Sequence, residues 1–92
     1  MTEKVKEYIL NMRRVVPLCM SIPDGLYSGI DGHRRLAREC GSALNDFSCS
    51  EQEELIKASY SSIYVIGCKL KPILSAREWM MIMRSQIKTK EF

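Results

Sequence analysis

Two stretches in the second half of this chain read as helix-opening boxes, with a serine three residues ahead of a glutamate and apolar residues behind it. The two stretches are Ser50-Glu51-Gln52-Glu53 and Ser75-Ala76-Arg77-Glu78. In such a capping box the serine hydroxyl satisfies an otherwise unpaired N–H of the first helical turn, and the glutamate reaches back to the serine's own N–H. Each box therefore fixes a helix start. Glu51, Glu53 and Glu54 suit the positive end of the first of these helices. Leu55, Ile56, Ser59, Tyr60, Ile63 and Ile66 follow at three- and four-residue spacing, which stacks them on one face. Gly67 is a C-cap or a point of close packing, and Pro72 prevents simple continuation. The second box opens a helix carrying Trp79, Met80, Ile82, Met83 and Ile87, which frays into Lys88-Thr89-Lys90-Glu91-Phe92.

The first half adds two helices. Val5, Tyr8, Ile9, Met12 and Val16 share a face from Glu3 to Val16, with Thr2 as N-cap, and Pro17 is expected to stop or kink that helix. Residues 17–32 hold two prolines and three glycines and read as a connector with turns at Pro23-Asp24-Gly25 and Ser28-Gly29. Its apolar residues, Leu26 and Tyr27 among them, predict packing on the helices or on a partner. A further helix runs from Gly32 to Asp46, capped by Asp31, with Leu36, Cys40, Ala43, Leu44 and Phe47 inward. The fold class that follows is all-α: about four helices packed as two antiparallel hairpins. A length of 92 residues makes this one domain, 1–92, with a thin core.

Catalytic groups are scarce. The single histidine, His33, stands beside Arg34, Arg35 and Arg38 with nothing to orient it. Cys19, Cys40, Cys49 and Cys68 occupy apolar helical positions and form no C-x-x-C pair. They read as buried free thiols, not as zinc ligands or disulfides. No phosphate loop or dinucleotide fingerprint is present. No enzyme, cofactor or metal is expected. A net charge of +3 falls short of a dedicated phosphate-binding surface. A faint helix-turn-helix echo around Leu36–Gly41 fails because Ala43–Glu51 carries no Lys or Arg, so sequence-specific DNA binding is not expected. The charged N-terminal residues and the lack of a long apolar run predict a cytoplasmic protein with no membrane segment.

Binding to another protein is the remaining reading. Trp79, Met80 and Met81 are consecutive, so the last helix is apolar over more than half its circumference, wider than a surface helix needs. An oligomer or a partner is expected to cover the excess. The predicted partner surface is Tyr27, Tyr60, Ile63, Tyr64, Trp79, Met80 and Met83. Arg13, Arg14, Arg34, Arg35 and Arg38 form an alternative, acid-facing surface.

Two family resemblances sharpen this. Leu55-Ile56-Lys57, Ser61-Ser62, Gly67 and Trp79 look like landmarks of tetratricopeptide-type helix pairs. In particular they resemble the small helical co-chaperones of bacterial type III secretion needle subunits. That resemblance implies a chaperone whose groove covers an amphipathic helix of a self-assembling secretion client, a virulence function. Tyr8-Ile9-Leu10 with Arg13-Arg14, Glu54-Leu55 and Trp79 resembles the Hha/YmoA family. It implies a modulator of gene expression that binds a nucleoid protein.

Overall fold

The computed structural model describes residues 2–21, 25–61 and 73–88; the side chains of 13–21 and 61 lie outside that description. Among the described residues there are four α-helices and no strand: α1 (Glu3–Ser21), α2 (Gly29–Ala43), α3 (Cys49–Ser61) and α4 (Ala76–Ser85). A short 3-10 turn, Leu44–Asp46, links α2 towards α3. The chain is all-α.

Helix starts follow local chemistry, but not always at the expected residue. Thr2 caps α1 as expected, its Oγ1 accepting the Val5 N–H at 3.2 Å. Pro17 does not end α1, which continues to Ser21. A proline removes one N–H from the ladder, and the surrounding helix carries on past that missing bond. Helix α2 starts at Gly29, three residues before the expected Gly32, and its N-cap is Ser28, not Asp31. The Ser28 N–H and Oγ both donate to the Gly25 carbonyl, at 3.1 and 2.8 Å, closing a turn that releases the chain into the helix early. The expected connector, 17–32, is thus helical at both of its ends, over 17–21 and 29–32. The Pro23-Asp24 part of its predicted turn lies outside the described residues.

The capping box of α3 is real but sits two residues earlier, on Ser48 and Glu51. The Ser48 N–H and Oγ donate to Glu51 Oε1 at 3.1 and 2.9 Å. The turn is placed there by Phe47, which is buried, and by Gln52, whose Nε2 donates to the carbonyls of Leu44 (2.9 Å) and Phe47 (3.1 Å). The Leu44 carbonyl also accepts the Phe47 N–H at 3.0 Å, so Gln52 fastens the turn that closes the 3-10 segment. Thr2 Oγ1 donates to the other Glu51 oxygen at 2.9 Å, tying the starts of α1 and α3 together. The Ser48 N–H, then the Thr2 hydroxyl, hold the Glu51 carboxyl below the usual carboxylate range. Glu53, displaced from capping, pairs with Arg84 of α4 at 3.2 Å. At α4 the expected box is half made. Ser75 Oγ accepts the Glu78 N–H at 3.1 Å, while the Glu78 carboxylate turns to Arg34 at 3.3 Å.

The helices pair as two antiparallel hairpins. Tyr8 of α1 meets Cys40 of α2, with Met12 further along α1 beside Leu36 further back on α2. Ser59 of α3 meets Trp79 of α4, and Glu53 meets Arg84. The hairpins join mainly through α2 and α4, which run parallel: Arg34 lies by Glu78, Gly41 by Met83 and Asn45 by Gln86. Val5, Leu36, Leu44, Leu55, Ile56 and Leu74 fill the space between. Each such side chain contributes roughly 1.5–3 kcal/mol when fully buried.

Gly41 sets the α2–α4 distance. A Cβ there would lie 2.4 Å from the carbonyl oxygen of Met83 and 2.8 Å from its Cα. That obstacle is backbone and cannot rotate away. Gly41→Ala should therefore lower stability despite alanine's helix preference of about 1 kcal/mol. Overpacking of about 1–3 kcal/mol outweighs it, for a melting temperature lower by about 4–8 °C. Thermal unfolding followed by circular dichroism reads this, with Ser42→Ala on the exposed face as a near-neutral control. A raised melting temperature for Gly41→Ala would contradict the close approach.

Candidate partner-binding surface

Two of the residues expected on the partner surface lie instead inside the core. Trp79 and Met83 are fully buried core residues. The reason is a polar contact that lets an indole go inside. Trp79 Nε1–H donates to Ser59 Oγ at 3.0 Å, and Ser59 is itself only 1% exposed. The Ser59 hydroxyl faces both the Ile56 carbonyl (2.8 Å) and Met83 Sδ (3.0 Å). Met80 and Tyr60 are half-buried against the same core. Met81, 58% exposed, is what remains outward of the apolar excess on α4. Ile63 and Tyr64 lie outside the described residues.

Tyr27 is half-buried in the turn before α2, and its hydroxyl donates to Glu39 Oε2. Gly32 holds that turn down: a Cβ there would fall 2.2 Å from the Tyr27 carbonyl carbon. Glu39 stands at the edge of an open groove between α1 and α2, with a volume of about 410 Å3. Its walls are Tyr8, Asn11 and Met12 from α1 and Leu36, Glu39, Cys40 and Ala43 from α2. Periodicity had placed Tyr8, Met12, Leu36, Cys40 and Ala43 on inward faces, but gave no sign that the two helices leave a gap.

The groove floor is chemically quiet. Tyr8 Oη donates to the Cys40 carbonyl at 3.1 Å, and its ring meets Phe47 edge-on at 5.5 Å between centroids. Burial pushes the Tyr8 phenol up, and neighbouring Cys40 adds to it. Burial likewise pushes the Cys40 thiol up to about 12. The Glu39 carboxylate adds to that shift, and the Tyr8 hydrogen bond opposes it. Tyr8 and Cys40 are therefore neutral at physiological pH.

Of the alternative basic surface, Arg34 is paired with Glu78 (3.3 Å) and with Asp31 (3.8 Å). Arg35 and Arg38 are exposed on α2, and neither makes an ion pair among the described residues. The side chains of Arg13 and Arg14 lie outside the described residues. His33 is buried, its Nδ1–H donating to the Gly29 carbonyl at 2.7 Å, which makes it a packed core histidine. Among the described residues no three of His, Cys, Asp and Glu come together as metal ligands, and no helix is long and apolar enough to cross a membrane.

No family model matches this chain, and no curated protein and no solved structure matches it. What the chain does is therefore read from its own surface.

The thiols correct a further expectation. Cys49 is exposed in the first turn of α3, not buried, and Cys40 is half-buried in the groove. Cys19 and Cys68 carry no described side chain. Because the thiolate is the reactive form, an aromatic disulfide reagent at pH 8 should modify Cys49 quickly in the folded protein. It should reach Cys40 only on unfolding, as read by peptide mass. Equal native rates at the two positions would contradict the placement of Cys40.

Proposed function

We propose that this chain is a non-enzymatic protein-binding module, chaperone-like in action, that holds the apolar face of an amphipathic helix in the α1–α2 groove. The observation that carries this reading is the groove itself. Its volume, about 410 Å3, lies in the range of functional pockets, and its walls are mostly hydrocarbon. An apolar cleft between two helices suits a helix whose anchors repeat every three or four residues. Binding would act by occupancy, keeping the partner's apolar face from other contacts. In the form the resemblance to type III secretion co-chaperones implies, the partner is a self-assembling secretion subunit. The site differs from the one read in the sequence: Tyr27 adjoins it through Glu39, while Trp79 and Met83 support the fold behind it.

A second reading keeps one observation in its favour. Arg35 and Arg38 are exposed and outside any ion pair among the described residues. Together with Arg13, Arg14 and Arg34 they would face an acidic partner, such as a nucleoid protein in the Hha/YmoA-like reading. Salt separates the two, since added salt shortens the Debye length from about 8 Å at physiological ionic strength and weakens attraction between exposed charges.

The test is binding of a synthetic leucine-rich amphipathic peptide, followed by fluorescence anisotropy. Ala43 is exposed and lines the groove, so Ala43→Tyr should fill it without disturbing the core. Binding should weaken about tenfold, equivalent to ~1.4 kcal/mol. Arg35→Glu with Arg38→Glu should leave affinity within about twofold. The opposite pattern, loss with the arginine pair and none with Ala43→Tyr, would move the site to the basic surface.

A further inference from the structure

The groove has one formal charge among its described lining residues, Glu39. Its setting is unusual for an exposed carboxylate. The Tyr27 hydroxyl donates to Oε2. Tyr27 is held by a turn that Ser28 closes onto Gly25 and that packs its backbone against Gly32 with no room for a Cβ. One oxygen of the carboxylate is thus engaged by a hydroxyl carried on a closed turn. Yet among the described residues no cation reaches it, not even Arg35 one turn back on the same helix. Its negative field falls on the groove floor, where it adds to the upward shift of the Cys40 thiol. The other polar groups there are spoken for: Tyr8 Oη donates to the Cys40 carbonyl, and Asn11 has its own partner.

We infer that the groove takes a basic amphipathic helix of another protein, whose apolar side chains fill the α1–α2 cleft while one Lys or Arg reaches the Glu39 carboxylate held by Tyr27. This rests on the groove reading above and adds the partner's chemistry to it. The physical content is charge complementarity on a pre-organised acceptor. A carboxylate already oriented loses less freedom when a cation pairs with it. The remaining Glu39 oxygen can accept a bond from a guanidinium or ammonium group. The molecule as a whole carries +3, which works against a basic partner at long range. The preference must therefore come from this one site, and that makes it testable by a single neutralisation.

The experiment uses the full chain and two synthetic helices of about five turns. Both carry the same leucine face, one with lysine and one with glutamine along its polar flank. Affinities are measured at ionic strength near 0.15 M, where the Debye length is about 8 Å. The wild-type protein should prefer the lysine peptide by about three- to fivefold, as for a partly exposed pair. Glu39→Gln should abolish that preference, so that the two peptides bind with the same affinity. Glu54→Gln, which removes an exposed carboxylate on α3 away from the groove, should keep the preference. Tyr27→Phe, which leaves the charge but frees it, should reduce the preference part-way. Equal binding of both peptides by the wild type overturns the inference and leaves the groove reading standing. A preference that survives Glu39→Gln also overturns it. Binding of neither peptide overturns the groove reading and the inference together.

Discussion

One buried hydroxyl, Ser59 Oγ, decides where the last helix goes. Without an acceptor for its indole N–H, burying Trp79 would leave an unsatisfied donor, at a cost of about 1–3 kcal/mol. Ser59 supplies that acceptor at 3.0 Å and directs its own proton to the Ile56 carbonyl or Met83 Sδ. Gly41 then lets the backbone at Met83 come against α2. Together these contacts seat α4 between α2 and α3, where its apolar residues become the core.

The location of α4 determines where the surface is left open. Contacts run from α2 to α4, from α4 to α3 and from α3 to α1, while the side between α1 and α2 holds the groove. At the other end of α1, the Glu51 carboxylate fastens Thr2 to the start of α3, and Lys4 lies over the Phe47 ring, 4.5 Å from its centroid. Helix α1 is thus anchored by its first turns on α3 and meets α2 through side chains such as Tyr8 and Met12. A small chain with a thin core has spent its large apolar residues on one pair of hairpins and kept a modest apolar cleft between two of its helices.

Much of this was legible in the sequence because it is local. The helices themselves, Thr2 as a cap, the start of α4 at Ser75 and the inward positions of α1 and α2, apart from the exposed Ala43, follow from spacing and hydrogen-bond chemistry within a few residues. The misplacements share a cause. Ser48 and Ser50 both stand three residues ahead of a glutamate, and the choice between them is made by the burial of Phe47 and the reach of Gln52, which spacing does not report. The early start of α2 depends on Ser28 closing onto Gly25, and the continuation of α1 past Pro17 shows that a missing N–H is not a stop. Trp79 and Met83 read as surface because their partner, Ser59, lies twenty or more residues back on another helix. Its place among the apolar positions of α3, and the isolated Gly41 inside α2, were the two signals that could have pointed to a buried contact. The groove and the Tyr27–Glu39 bond arise from how a turn and two helices meet, and no single periodicity encodes them.

The central claim is that Trp79 seats α4 in the core, and as the sole tryptophan it reports on that directly. Its fluorescence in the native protein should be blue-shifted and shielded from acrylamide, becoming red-shifted and quenchable in one cooperative step as urea unfolds the chain. A native emission already red-shifted and quenched as in urea would place Trp79 at the surface and contradict the account.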